Sequence, residues 1–128
     1  MTEFRIFDQA RYLSLETFRK SGTGVKTPVW FAAADTDRDL LYVYSGADSG
    51  KMKRVRRDGV VRIAPCGARG SVTGPWVDAR AAFVTGEEFK EGMRLLNRKY
   101  RPWKQILDLM FRLRPRDRRV VIAIRPAA

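Results

Sequence analysis

The 128-residue chain has the length of one compact domain, 1–128, with an ordinary apolar fraction of 45% and a formal net charge of +12. It contains no histidine and one cysteine, Cys66. That excludes Ser-His and Cys-His catalysis, histidine metal sites, an intrachain cysteine cluster for zinc and any intrachain disulfide. An enzyme of this composition needs a bound cofactor for its chemistry.

In chain order, MTEFRIFDQARY has no apolar core of signal-peptide length, and no apolar run reaches the roughly 18 residues of a membrane span. A soluble, cytoplasmic protein is the expectation. Tyr12–Phe18 alternates, with Leu13, Leu15 and Thr17 on one face and Ser14 and Glu16 on the other, as a strand does. Ser21–Gly24 is a turn at hairpin spacing. Val25–Asp35 then reads as a long strand with Val25, Thr27, Val29, Phe31 and Ala33 on one face. Pro28 has no N–H to give a ladder, so the strand is unpaired, bulged or at an edge there. Asp35–Asp39 is a charged turn and Leu40–Gly46 the next strand.

Ser49 is placed as an N-cap and Asp58-Gly59 as a helix stop. The helix between them, about two turns long, is anchored by Met52 and Val55. Val60–Pro65 is a strand, and Trp76–Thr85 is another with Val77, Ala79, Ala81 and Phe83 inward. Thr85 and Glu88 have the spacing of a capping box. The helix they open carries Phe89, Met93, Leu96 and Tyr100 on one stripe. Pro102 starts a second helix with Trp103, Ile106, Leu107 and Met110, ended by Pro115, and Arg118–Pro126 is a closing strand. Six strands without alternating long helices predict a mainly β fold: a mostly antiparallel barrel with helices packed outside.

The charge is lopsided. Residues 1–48 hold six Lys/Arg against seven Asp/Glu, whereas residues 49–128 hold twenty against seven. Such a field attracts polyanions. It is densest in SGKMKRVRRDG, Ser49–Gly59, with Lys51, Lys53, Arg54, Arg56 and Arg57. Free N–H groups at a helix start, with Ser49 and Lys51 beside them, suit an anion. Arg56 and Arg57 fall at the helix end, where cations favour the dipole and need no ligand. On local pattern a phosphate cradle and a solvated cationic face fit equally well.

In KTPVWF, Trp30 shares a face with Lys26 and Pro28. The face could border a flat aromatic ligand, but pattern alone favours packing under the helices or in a dimer interface. APCGARGSVTGPW is glycine-rich without a dinucleotide or P-loop fingerprint, and Cys66 reads as a small packed hydrophobe. KYRPWK and RLRPRDRR mix aromatics with cations, as single-strand nucleic-acid binders do. Their aromatics sit on helix stripes, which favours a solvated cationic face.

The order TPVWF, LYVYSGADSGKMKRVRRDGVVRIAP, GPWVDARAAFV resembles the flavin/deazaflavin oxidoreductase superfamily, the split-barrel proteins related to pyridoxamine 5′-phosphate oxidase. Within it the chain is most similar to the PPOX-class F420-dependent oxidoreductases, over about Tyr12 to Pro126. The family's short helix ends near Asn-Pro; here it ends in Asp58-Gly59. The resemblance implies a six-stranded antiparallel split β-barrel, a homodimer and a cofactor held between subunits. By position, Ser49 and Lys51 would hold the cofactor phosphate with Lys53 close by. Tyr44, Ser45 and Gly46 would line the approach, and Thr27, Pro28, Val29 and Trp30 would lie along the ring system.

The superfamily uses FMN, coenzyme F420 and, in some branches, haem or biliverdin. The basic C-terminal part suits the longer polyanion, coenzyme F420, over FMN. The expected activity is hydride transfer from the reduced deazaflavin to a small unsaturated substrate. The alternatives are an FMN-dependent enzyme of the same fold, a cofactor store or carrier, and a basic nucleic-acid binder. The last lacks any nucleic-acid fold signature.

Overall fold

In the computed structural model, which describes residues 3–100 and 119–127, six strands form one closed antiparallel barrel. They are β1 (Tyr12–Phe18), β2 (Gly24–Ala33), β3 (Leu41–Gly46), β4 (Val60–Cys66), β5 (Val77–Val84) and β6 (Arg119–Pro126). Around the barrel the order is β1-β2-β3-β6-β5-β4. Helix α1 (Gly50–Asp58) links β3 to β4, helix α2 (Gly86–Lys99) follows β5, and a short 3-10 helix spans Glu3–Phe7. The expected second helix around Trp103, Ile106, Leu107 and Met110 lies outside the described residues, as does most of RLRPRDRR. Among the described residues no helix is long and apolar enough to cross a membrane.

Strand alternation divides the apolar residues into two cores. Leu13, Leu15, Val29, Phe31, Val43, Val61, Ile63, Ile122 and Ile124 fill the barrel. Met52 and Val55, three apart on α1, close the end where β3 stops and β4 starts, and Phe4 and Phe7 belong to the same core. Outside the barrel, α2 lays Leu95 and Leu96 on Ala32, Leu40, Tyr42 and Val121. Gly92 permits that approach: a Cβ there would come within 3.0 Å of Val121 Cγ1 and 3.2 Å of Tyr42 Cδ1.

The strand β2 changes partners partway along. Its residues Gly24 to Trp30 pair with β1, and only Phe31 to Ala33 pair with β3. Beyond those three pairs, Tyr44, Ser45 and Gly46 pair with β6 alone. The barrel is therefore closed by a short seam and split below it. Pro28 lies in the half of β2 that lacks β3, so of the three arrangements expected for it the edge is the one found. The Tyr100 hydroxyl sits at the switch. It accepts from the Phe31 N–H at 3.0 Å and lies 2.8 Å from the Phe31 carbonyl and 2.5 Å from the Arg11 carbonyl. Arg11 precedes Tyr12, the partner of Trp30, so this hydroxyl stands where the β1–β2 ladder would have continued.

Several sequence expectations need correction. The strand β2 ends at Ala33, and Ala33 is exposed whereas Ala32 is buried under α2. On β1 both faces are covered: Ser14 and Glu16, on the face opposite Leu13 and Leu15, are buried too, and Glu16 meets Arg62 of β4 at 3.1 Å across the ladder. The capping box does not form. Thr85 occupies the N-cap position without a side-chain bond, and Glu88 instead accepts from the Tyr42 hydroxyl at 2.9 Å.

Candidate functional site

The split between β2 and β3 is a cleft with two dissimilar walls. On one side runs the β2 edge, Thr27 to Trp30. On the other runs the end of β3, Tyr44 to Gly46, and the Trp30 and Tyr44 rings are 6.2 Å apart. Trp30 is steadied from behind by Tyr100, stacked at 4.6 Å and 9°. The packing reading holds for Trp30, which lies against the end of α2, at the point where β2 parts from β3. The side chains of Thr27 and Pro28 are half-buried and exposed, whereas Val29 points into the barrel core. A Cβ on Gly46 would meet nothing within 4 Å, so the backbone is open at this point.

The cleft leads to the start of α1, built as the sequence indicates. Ser49 has extended backbone and its hydroxyl accepts from the Met52 N–H at 3.3 Å. Gly59 closes the helix at φ 69°, a left-handed conformation that glycine adopts without cost. The first helical bond is Lys53 N–H to the Ser49 carbonyl, so the amides of Gly50 and Lys51 precede the helical ladder and point their dipoles outward. Ser45 Oγ lies 3.4 Å from Ser49 Oγ, which brings two hydroxyls to the same place.

Three cations surround that helix start. Lys51 is half-buried, and its ammonium is pushed below the ordinary lysine value by burial first, then by Arg54 and Arg119. Arg54 folds back along α1: its Nη1 lies 3.0 Å from where a Gly50 Cβ would be, and its Nε donates to Thr17 Oγ1 at 2.7 Å. Arg119 stands opposite Gly46 in the β3–β6 ladder with its guanidinium 4.9 Å from the Tyr44 ring centroid. Among the described residues no carboxylate pairs with Lys51 or Arg54. Asp48, just before the cap, is exposed.

Two like charges, Lys51 and Arg54, held together with no carboxylate beside them among the described residues, cost free energy that an anion would recover. Hydroxyls, free amides, an ammonium and a guanidinium are the donor set of a phosphate cradle. Ser45 and Ser49 converge, and Lys51 is half-buried one residue into the helix, whereas Lys53 is exposed on its flank. Arg56 is occupied elsewhere, 5.0 Å from the Phe83 ring, and Arg57 donates to the Phe18 carbonyl. Sequence reasoning missed Arg54 and Arg119. The i, i+4 spacing from Gly50 could have suggested the first; nothing local marks the second.

Other candidates fall away. Cys66 is buried, and burial raises its thiol, as a packed hydrophobe requires. Among the described residues no group of three metal-ligating side chains occurs. Trp76 is held between Lys26 and Arg62, at 5.1 Å and 5.2 Å.

No family model and no curated protein matches the sequence. Solved structures do match. A candidate pyridoxamine 5′-phosphate oxidase from Listeria innocua superposes with a TM-score of 0.60 at 18% identity, over 96% of this chain and 89% of the other. The fold is the pyridoxamine 5′-phosphate oxidase-like split barrel. An F420 reductase shares this split barrel with a TM-score of 0.60 at 18% identity, over 96% of this chain and 91% of the other. The haem storage protein HutZ of Vibrio cholerae shares it with a TM-score of 0.71 at 16% identity, over 98% and 87%. The same split barrel thus serves proteins of different functions, and the residues in the cleft must carry any choice between them.

Proposed function

We propose that the cleft binds a phosphorylated flavin-type cofactor, coenzyme F420 in preference to FMN, and that the protein is an oxidoreductase acting on a small unsaturated substrate. The observation that carries this reading is the half-buried Lys51 between Arg54 and Arg119 at a helix start, with the open β2 edge leading into it. Ser45, Ser49, Lys51, Arg54 and Arg119 hold the phosphate. Thr27, Pro28 and Trp30 flank the ring system. When bound, the reduced cofactor would supply a hydride. The chain's own part is to bind, orient and screen the reacting face from water. The preference for the deazaflavin rests on the excess of Lys/Arg after residue 48, which suits a ligand that continues past its phosphate into an anionic tail. FMN, with one terminal phosphate, is the second reading.

The cleft is shallow on a single barrel, and a C2 homodimer with the cofactor near the interface completes it. Anaerobic fluorescence titration of the purified protein with the oxidised deazaflavin, FMN and haemin tests the cofactor assignment, with the deazaflavin expected to bind most tightly. Tighter binding of haemin, or no binding of either flavin-type ligand, would overturn it. Light scattering tests the assembly: a monomer that binds cofactor with full affinity refutes the dimer.

A further inference from the structure

Lys99, the last residue of α2, is a cation set among cations. It is half-buried, and no carboxylate among the described residues pairs with it. Its Nζ donates to the Ala10 carbonyl at 3.0 Å and stands 3.4 Å from the Phe31 ring centroid. Arg11 shares the Tyr100 ring with it, the guanidinium 5.8 Å and Nζ 5.2 Å from the centroid. Arg38 and Arg98 line the same recess, a cavity of about 570 Å³ beside the opening 3-10 helix. The two carboxylates of that recess are already engaged. Asp8 faces Arg38 at 3.7 Å, and Asp35 faces Arg98 at 2.7 Å and Arg94 at 3.2 Å.

Partial burial and a neighbouring like charge both favour the neutral amine, and a lysine held that way is a nucleophile at neutral pH. Burial, with Arg11 adding to it, brings the Lys99 amine down to about 8. The arginines that repel the ammonium would hold an anion formed at the same nitrogen. Carbon dioxide is an electrophile that turns an amine into an anion without a leaving group. It is small enough to reach a half-buried nitrogen with the phenyl rings beneath it left packed.

We propose that Lys99 is a modification site that takes up carbon dioxide reversibly as a carbamate, with the new carboxylate held by the arginines around the recess. The Nζ lone pair attacks the carbon and forms the N–C bond. One C=O electron pair moves onto oxygen, and a proton leaves nitrogen for water. Nothing is oxidised or reduced. The carbamate keeps one N–H, which stays on the Ala10 carbonyl, while its carboxylate points away from the Phe31 ring. The site needs no cofactor and lies apart from the cradle at α1, so it stands or falls independently of the cofactor reading. The groups that face Lys99 are Asp8 and Arg11 before β1, Asp35 and Arg38 beyond β2, and Arg98 and Tyr100 at the end of α2. Arginines stay charged. Asp35 is held below the usual carboxylate range by Arg98 and Arg94, and burial pushes the Tyr100 phenol up. At fixed dissolved carbon dioxide the carbamate should therefore increase with pH as the amine loses its proton.

The test equilibrates the full chain with 13C-labelled carbon dioxide at pH 7.5, traps carbamates as ethyl esters with triethyloxonium, and locates them by peptide mass mapping. Only the neutral amine reacts, and Lys99 is brought down to about 8, well below the ordinary lysine range, so its occupancy should exceed that of the exposed Lys20 by at least ~10-fold. Occupancy should rise from pH 6.5 to pH 8.5 at constant dissolved carbon dioxide. The 13C spectrum of the untrapped protein should show a carbamate line that is lost in Lys99→Arg, which keeps the charge, and weakened in Arg11→Gln. Lys51→Ala should leave it unchanged. Labelling of the N-terminal amine alone, equal occupancy at Lys99 and Lys20, no rise with pH, or a full line in Arg11→Gln overturns the proposal. Trapping on the wild type needs no variant, so a Lys99→Arg protein that fails to fold leaves the test intact.

Discussion

Lys51 and Arg56 lie on one helix and carry one charge each, which makes them a controlled pair. Lys51 is half-buried at the mouth of the cradle, whereas Arg56 is exposed beyond it over the Phe83 ring. If Lys51 contacts the cofactor phosphate, Lys51→Ala removes a charge-assisted bond worth about 1.5–3 kcal/mol, or roughly ten- to a hundredfold in affinity. Arg56 is six residues past the helix start at Gly50, about 9 Å along the axis at 1.5 Å per residue. A unit charge ~10 Å away contributes about 0.4 kcal/mol in water, reduced to about 0.1 kcal/mol by a Debye length of ~8 Å at physiological salt. Arg56→Ala should therefore change affinity by less than about twofold even for a dianion. Fluorescence titration with the deazaflavin in 0.15 M salt reads both, and the apo-proteins should melt alike. Equal losses from the two substitutions would mean a diffuse cationic surface, and the cradle reasoning would be refuted.

Other expectations concern different parts of the fold. Longer oligoglutamate tails on the deazaflavin should tighten binding at low salt, and titrations that show no dependence on tail length would remove the electrostatic case for it over FMN. Tyr100→Phe keeps the stack on Trp30 but strips the hydroxyl from the Phe31 N–H and from the carbonyls near it. With two buried hydrogen bonds lost, destabilisation of ~2–4 kcal/mol should appear in urea unfolding, and a change under about 0.5 kcal/mol would show that the ladder needs no substitute there. Lys99 titrates near 8 when folded against 10.5 when free. Between those values the unfolded chain holds a proton the folded one lacks, so this group makes stability rise with pH across that window, and its cost is fully present below 8. The melting temperature of the wild type should gain on that of Lys99→Met between pH 7 and 9.5; a constant gap would contradict the burial of that amine.

Whatever is signalled within a few residues was legible. Ser49, Gly59 and the Met52/Val55 spacing define α1 without help from the rest of the chain, and the six strands expected from the sequence fall within two residues of the observed ones at each end. What failed depends on distant partners. Glu88 has the right spacing to cap α2, yet Tyr42, forty-six residues away, takes it. The burial of Glu16 follows from Arg62, which lies across the β1–β4 ladder and is out of reach of any local pattern. The cradle divides the same way. Ser49 and Lys51 announce themselves as a helix start with a cation beside it. Arg119 sits in an arginine-rich run, and only the pairing of β3 with β6 sets it opposite Gly46. Leu95 belongs to the second core because α2 is pressed so closely at Gly92 that the buried stripe is wider than the Phe89–Met93–Leu96–Tyr100 spacing suggests.

The partner switch along β2 leaves a bare strand margin, the kind of surface to which any passing extended peptide can add itself. Pro28 sits in the middle of that margin, inside an unbroken register with β1 that places Ser14 opposite it. A proline in an intact ladder turns its nitrogen away from its partner, so the missing donor falls on the exposed side. An invading strand would find a gap in the row of N–H groups and could not zip past it. The edge proposed to border the cofactor is thereby guarded against polymerisation. Pro28→Val should restore the donor and raise the tendency of the protein to self-associate on standing, even if the barrel and its seam are untouched.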